Sequence, residues 1–87
     1  MTDAWVYLLR CADGSLYTGW STDLQRRLQR HREGTASRYT ASRRPVELAI
    51  ALPMADRTAA RREEARIKQL DRAAKLALIE ASAHASA

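Results

Sequence analysis

Six residues of this 87-residue chain have chemically useful side chains at spacings a small fold can gather: Tyr7, Tyr17, Arg27, His31 and the neighbours Glu63 and Glu64. A phenol, with an unperturbed pKa of about 10, acts as a base near neutrality only beside a cation or a proton acceptor. Arg27 and His31, four residues apart and so on one face of a helix, supply both. A glutamate adds an oxygen donor suited to a hard divalent cation. Charge fits an anionic ligand: fifteen Lys and Arg oppose ten Asp and Glu, and thirteen of the fifteen are arginine. The guanidinium fork matches phosphate oxygens, which points to a polyanionic partner, against the competing reading of a solvated charged surface.

The elements that must hold these residues follow from local pattern. The stretch "VYLLRCADGSLYTG" (Val6 to Gly19) has two runs of β-formers, 5–12 and 15–20, around the turn signal Asp13-Gly14, and predicts a hairpin with one tyrosine on each arm. Ser21 or Thr22 can cap a helix over about 23–33, stopped by Gly34. Thr35 to Pro45 is small, polar, basic and without periodicity, hence an ordered loop or a mobile flap. Val46 to Leu52 is the third strand; Asp56 or Thr58 starts a helix to about Leu70, and Asp71 caps another to about Ala81. The expectation is one α/β (α+β) domain over 1–82 with a frayed tail at 83–87, a three-stranded antiparallel sheet flanked by three helices in the order β-β-α-β-α-α.

Two helices carry charge where burial is expected. In the first, Leu24 and Leu28 define the packing face, and Arg27 and His31 project from that stripe or its edge, while Arg26, Arg30 and Glu33 point into water. A cation on a packing face needs a partner or a ligand to offset desolvation. A core-edge glutamate for Arg27 and a satisfied, half-buried imidazole for His31 are the structural alternatives. In the helix after Asp56, Ala59, Ala60, Ile67 and Leu70 mark the inner face, with Glu63 nearer its centre and Glu64 flanking it. Periodicity does not choose between the two glutamates. Exposed i, i+3 and i, i+4 pairs with Arg66 or Lys68 would account for both.

Other classes fall away. One cysteine, Cys11, makes no internal disulfide and builds no zinc site, and its strand position marks it as a small buried hydrophobe. No apolar run reaches the length of a membrane span and the N-terminus lacks a signal-peptide pattern, so the expectation is a cytoplasmic protein with no membrane association and no obligate protein partner.

These residues and spacings resemble the GIY-YIG nuclease superfamily, most closely its small stand-alone UPF0213-like bacterial members. Trp5-Val6-Tyr7 stands for the first signature triplet and Tyr17-Thr18-Gly19 for the second, with Arg27 ten and His31 fourteen residues after Tyr17 in "STDLQRRLQRH". "REEARIKQL" resembles the segment that carries the family's metal-binding glutamate. The resemblance spans about Ala4 to Ile79. It implies Tyr17 as general base or water-orienting group, Tyr7 as its neighbour, Arg27 as phosphate-binding arginine and His31 as the partner of a tyrosine hydroxyl. Register selects Glu64, three residues before Ile67 and four before Lys68. Two positions depart from the pattern: Trp20 stands where several relatives have a lysine, and the chain contains no Asn to match one that follows the glutamate helix in those relatives.

The resemblance implies divalent-metal-dependent phosphodiester hydrolysis on DNA or structured nucleic acid, with one weakly held Mg2+ or Mn2+ on Glu64 completed by water and substrate. Arg26, Arg30, Arg38, Arg43, Arg44 and Lys68 are the candidates for backbone contacts. The leading rival keeps the fold and the basic surface as a catalytically silent nucleic-acid-binding module; a second reads 56–81 as a helix-turn-helix-like pair.

Hairpin parity decides whether the tyrosines can share a site. A two-residue Asp13-Gly14 loop would pair Tyr7 with Trp20 and put the rings on opposite faces. A three-residue loop, Ala12-Asp13-Gly14, pairs Leu9 with Tyr17 and Tyr7 with Gly19 and puts both rings on one face. The expectation is the second, with Gly19 leaving open space opposite Tyr7 and that face turned toward Arg27, His31 and Glu64.

Overall fold

A computed structural model describes residues 2–85. Its elements are β1 (Ala4–Arg10), β2 (Leu16–Ser21), α1 (Leu24–Glu33), α2 (Arg38–Ala41), β3 (Glu47–Met54), α3 (Arg57–Lys68) and α4 (Arg72–Ala85). The three strands form one antiparallel sheet in the order β2-β1-β3, so β2 is an edge.

The hairpin takes the three-residue loop. Tyr7 pairs with Gly19 and Leu9 with Tyr17, the Cys11 N–H donates to the Ser15 carbonyl at 2.9 Å, and Gly14 adopts a left-handed φ of 84°. An L side chain rarely takes that conformation, which is why glycine follows the type I turn. Asp13 Oδ1 accepts from the Ser15 N–H at 3.0 Å and from its hydroxyl, closing the turn.

Strand alternation divides the core into two layers. Ala4, Val6 and Leu8 face Ile50, Ala60 and Ile67, under α3 and α4. Tyr7 and Leu9 face Leu28, with Leu24 and Val46 at the margin, under α1. The core is thin, as the small surface-to-volume gain of a chain this short requires. Cys11 is buried as a free thiol.

Local capping differs in part from expectation. α1 is capped by Asp23, which accepts from the Arg26 N–H at 3.2 Å, and not by Ser21 or Thr22. The Ser21 hydroxyl instead accepts from the Asp23 N–H at 3.0 Å and braces the entry to the helix. Gly34 ends α1 with a left-handed φ of 82°. Asp56 caps α3 and Asp71 the first turn of α4, each accepting a backbone N–H at 2.8 Å.

The segment expected as loop or flap contains α2, so four helices are present where three were expected, the extra one a single turn. One turn contains no repeat, so periodicity gives no sign of it. Its stability comes from Ser37, whose hydroxyl accepts from the Thr40 N–H at 3.1 Å. α4 runs past Ala81 to Ala85, so the expected frayed tail is helical that far, and 86–87 lie outside the described residues.

Candidate active site

The tyrosine pair is positioned by the hairpin register and by one small residue. Tyr7 and Tyr17 lie on the same face, as the three-residue loop dictates. Gly19 does not leave open space: a Cβ there would stand 2.5 Å from the Tyr7 hydroxyl oxygen. The Tyr7 ring occupies that volume, lying across β2 so that its hydroxyl reaches the edge of the sheet.

α1 brings the second group. His31, 1% exposed, places Nε2 at 2.7 Å from the Tyr7 hydroxyl and packs edge-on against both tyrosine rings, at centroid distances of 5.5 Å and 5.2 Å. Its Nδ1 lies 2.9 Å from the hydroxyl of Thr40, which is fully buried. Burial, reinforced by the Arg27 charge, pulls the imidazole pKa from 6.5 down to about 4, so the ring is neutral at pH 7. Burial likewise pushes the Tyr7 hydroxyl well above the ordinary phenol value; Tyr17 and Glu64 add to the rise and Arg27 opposes it.

The cleft runs along β2 and has two walls. Its volume is about 300 Å³, and Tyr7, Tyr17, Gly19, Trp20, Arg27, Arg57 and Glu64 are among the lining residues. Arg27 comes from α1, over the tyrosine face, whereas Arg57 and Glu64 come from α3, which packs on the Val6 and Leu8 face. Glu64 therefore approaches the tyrosines around the sheet edge, so the tyrosine face turns toward Arg27 and His31 as expected, while Glu64 joins it from the other layer. Glu64 lies 3.4 Å from Lys68. Glu63 is ion-paired with Arg66 and does not line the cleft.

The expected backbone-contact residues divide. Arg26 and Arg30 line a groove that shares Ser21, Thr22 and Arg27 with the cleft. Arg43 is engaged in structure: its Nε donates to Asp13 at 3.0 Å, its Nη1 to the Tyr39 carbonyl at 3.0 Å, and its guanidinium lies 3.8 Å from the Tyr39 ring centroid. Arg44 donates to the Ala41 carbonyl at 3.0 Å and packs on Gly34. Arg38 lines a separate hollow with residues 34–37 and Ala41.

Three residues not singled out by sequence reasoning belong to this site. Arg57, exposed and with no side-chain hydrogen-bond or ion-pair partner among the described residues, lines the cleft from the start of α3. Thr40 binds His31, and Tyr39 stacks on Tyr17 with centroids 5.8 Å apart. The latter two sit in the segment without periodicity, where no local signal marked them.

A sheet edge where a two-tyrosine hairpin meets an arginine helix and a glutamate helix defines a class, the small α+β GIY-YIG-type domain. The family model for the GIY-YIG catalytic domain matches residues 3–77. The chain is 47% identical over 76 residues to a UPF0213 protein of Oceanobacillus iheyensis, covering 87% of this chain and 88% of that one. It is 46% identical over 81 residues to a UPF0213 protein of Syntrophus aciditrophicus, covering 91% and 92%. The solution NMR structure of a UPF0213 protein from Bacillus halodurans superposes with a TM-score of 0.59 at 38% identity, covering 88% of this chain and 82% of that one. The chain belongs to the GIY-YIG family, a nuclease superfamily, and within it to the UPF0213 group. No helix among the described residues is long and apolar enough to cross a membrane.

Proposed function

We propose that this protein hydrolyses phosphodiester bonds in DNA or structured nucleic acid with the help of one divalent cation. The observation that carries the reading is the convergence of Tyr7, Tyr17, Arg27 and Glu64 on one cleft of about 300 Å³.

The donor set suits a weakly held hard ion. Among the described residues no three of His, Cys, Asp and Glu cluster, and Glu64 is the one carboxylate lining the cleft. A single carboxylate oxygen fits Mg2+ or Mn2+ whose other positions are filled by water and phosphate oxygens. When bound, the ion supplies Lewis-acid stabilisation of charge on the leaving oxygen.

The chain's own groups do the rest. Arg27 holds the non-bridging phosphate oxygens and offsets the charge that develops on them. Tyr17, whose hydroxyl makes no hydrogen bond to another described residue, orients the attacking water through its oxygen. Tyr7 is locked by His31 and Gly19. Arg57 brings a second cation to the cleft, which Trp20 also lines. Arg26 and Arg30 extend the basic surface along the groove that leads from the cleft. The silent-module alternative keeps this basic surface without turnover.

The experiment is a panel of end-labelled DNA and RNA duplexes, single strands and branched structures, incubated with Mg2+, Mn2+ or EDTA. Cleavage that requires the ion supports the reading. Salt-dependent binding with no cleavage of any substrate would replace it with the silent module.

A further inference from the structure

The two tyrosines of the cleft are held in different ways. Tyr7 is anchored through its hydroxyl, which lies 2.7 Å from His31 Nε2. The Tyr17 hydroxyl makes no hydrogen bond to another described residue, and a hydroxyl that orients water has to stay free for that water. Tyr17 also sits in β2, an edge strand, so it has a strand neighbour, Leu9, on one side only. Whatever fixes the position of its oxygen therefore acts through the ring.

Two aromatic rings among the described residues pack against it. Buried His31 meets it edge-on at 5.2 Å between centroids, and Tyr39 stacks on it at 5.8 Å with 29° between the planes. Tyr39 is 37% exposed and its own hydroxyl has no partner among the described residues. Neither burial nor hydrogen bonding accounts for where its side chain lies; ring contacts do. Besides the stack on Tyr17, the Arg43 guanidinium lies over the Tyr39 ring, 3.8 Å from its centroid. That guanidinium is fixed in turn, donating to Asp13 Oδ2 at 3.0 Å, to the Tyr39 carbonyl at 3.0 Å and to the Ser42 hydroxyl at 3.2 Å. The Arg43 carbonyl accepts the Ala12 N–H at 2.9 Å, so both the backbone and the side chain of Arg43 are tied to the hairpin turn.

We infer that Tyr39 is a positioning residue for Tyr17, the middle of a clamp in which Arg43, anchored to the hairpin turn, holds the Tyr39 ring against the Tyr17 ring and so fixes where the Tyr17 hydroxyl enters the cleft. The contacts close a circuit: Asp13 to Arg43, Arg43 to Tyr39, Tyr39 to Tyr17, and back along β2 to Ser15, which is bonded to Asp13. A stacked ring opposes rotation of its neighbour out of a staggered χ1 well, because turning the ring away gives up the whole area of contact. Tyr17 lines the cleft and neither Tyr39 nor Arg43 does, so the clamp acts on the substrate through Tyr17.

The catalytic consequence rests on the nuclease reading, but the clamp does not, and the test separates them. Three-bond NMR couplings from the tyrosine Cγ to the backbone N and C′ read χ1 of each tyrosine in solution. The expected result is a single Tyr17 rotamer in wild type and in Tyr39→Phe, which keeps the ring, and rotamer averaging of Tyr17 in Tyr39→Ala and Arg43→Ala, with Tyr7 unmoved throughout. Averaged Tyr17 couplings in wild type overturn the proposal, and do so even if a variant fails to fold. Wild-type couplings in Tyr39→Ala overturn it as well, and averaging of Tyr7 together with Tyr17 would show a general loosening of the face and do the same. In single-turnover cleavage, Tyr39→Ala is expected to fall by about tenfold to a hundredfold, the scale of misplacing a reacting group by up to about 1 Å, with nucleic-acid affinity unchanged and Tyr39→Phe restoring the rate. Weakened affinity with an unchanged rate at saturation would make Tyr39 a nucleic-acid contact and overturn the proposal. Should wild type cleave nothing, the nuclease reading fails while the couplings still decide the clamp.

Discussion

The two walls of the cleft are built on different principles. On the α1 side, Tyr7, His31 and Thr40 are each no more than 1% exposed, and each polar group has a named partner. On the α3 side, Glu64 has a side chain 21% exposed and a loose 3.4 Å contact with Lys68, and the Arg57 side chain has no partner among the described residues. One wall is complete in the free protein, and under the proposed function the other is finished by what binds. A preorganised wall costs nothing to order at the moment of reaction, whereas a wall of exposed charges is, under the proposed function, left available to phosphate and cation. Damage to the first wall should therefore appear in stability and geometry, and damage to the second in metal use and salt dependence.

The largest expected effect lies on the open wall. Glu64→Gln should lower metal-dependent cleavage by about a thousandfold or more, the scale of losing a principal electrostatic group in a site, and leave nucleic-acid affinity and melting temperature close to wild type. Glu63→Gln should stay within a few-fold of wild type, since Glu63 pairs with Arg66 away from the cleft. The reverse ranking, read by the same cleavage assay, would move the metal to Glu63.

On the closed wall the leading effect is a pH-dependent stability. The His31 pKa is lowered from 6.5 unfolded to about 4 folded, so between these values the unfolded chain binds the extra proton. Stability is full above pH 6.5 and is lost as pH falls toward 4, by about 3 kcal/mol if the whole shift is realised. Thermal melts at pH 7.5, 6, 5 and 4.5 should show a steeper fall for wild type than for His31→Gln. Parallel curves would mean that the imidazole is not held neutral.

Gly19→Ala should come next, at about 1–3 kcal/mol of destabilisation from overpacking. The added methyl collides with the Tyr7 ring and hydroxyl, so cleavage should fall along with the melting temperature. Normal cleavage in this variant would show that Tyr7 can leave its position without consequence. The smallest effects belong to the arginines. Arg26→Ala, Arg30→Ala and Arg57→Ala should each reduce the slope of log affinity against log salt by about one. Arg43→Ala should leave that slope unchanged and lower stability, because Arg43 ties α2 to the hairpin turn; an equal loss of slope would put residues 38–44 on the nucleic-acid path.

Much of this was legible locally. Asp13-Gly14, Asp56, Asp71 and Gly34 mark their turn and helix ends because the groups that close a turn or cap a helix lie within a few residues of it. Strand alternation put both tyrosines on one face once the loop length was chosen. Sequence does not single out Asp23 as the α1 cap, because Ser21, Thr22 and Asp23 are three consecutive competent acceptors and only the path of the chain out of β2 selects among them.

The sequence by itself determined the three strands, the long helices and the helical spacing of Arg27 and His31, because each depends on neighbours within a turn or a strand, whereas hairpin parity followed only from the requirement that both tyrosines share a site. Tertiary structure alone decided that Glu64 reaches the tyrosines from the other layer, that the Tyr7 ring fills the volume above Gly19, that Arg57 faces the cleft, and that a segment without periodicity closes on His31 through Thr40. These bring together residues from 9 to 57 positions apart, such as Thr40 hydrogen-bonded to His31, and Glu64 lining the same cleft as Tyr7. No local periodicity encodes them, because they exist only once the sheet has set where each layer ends.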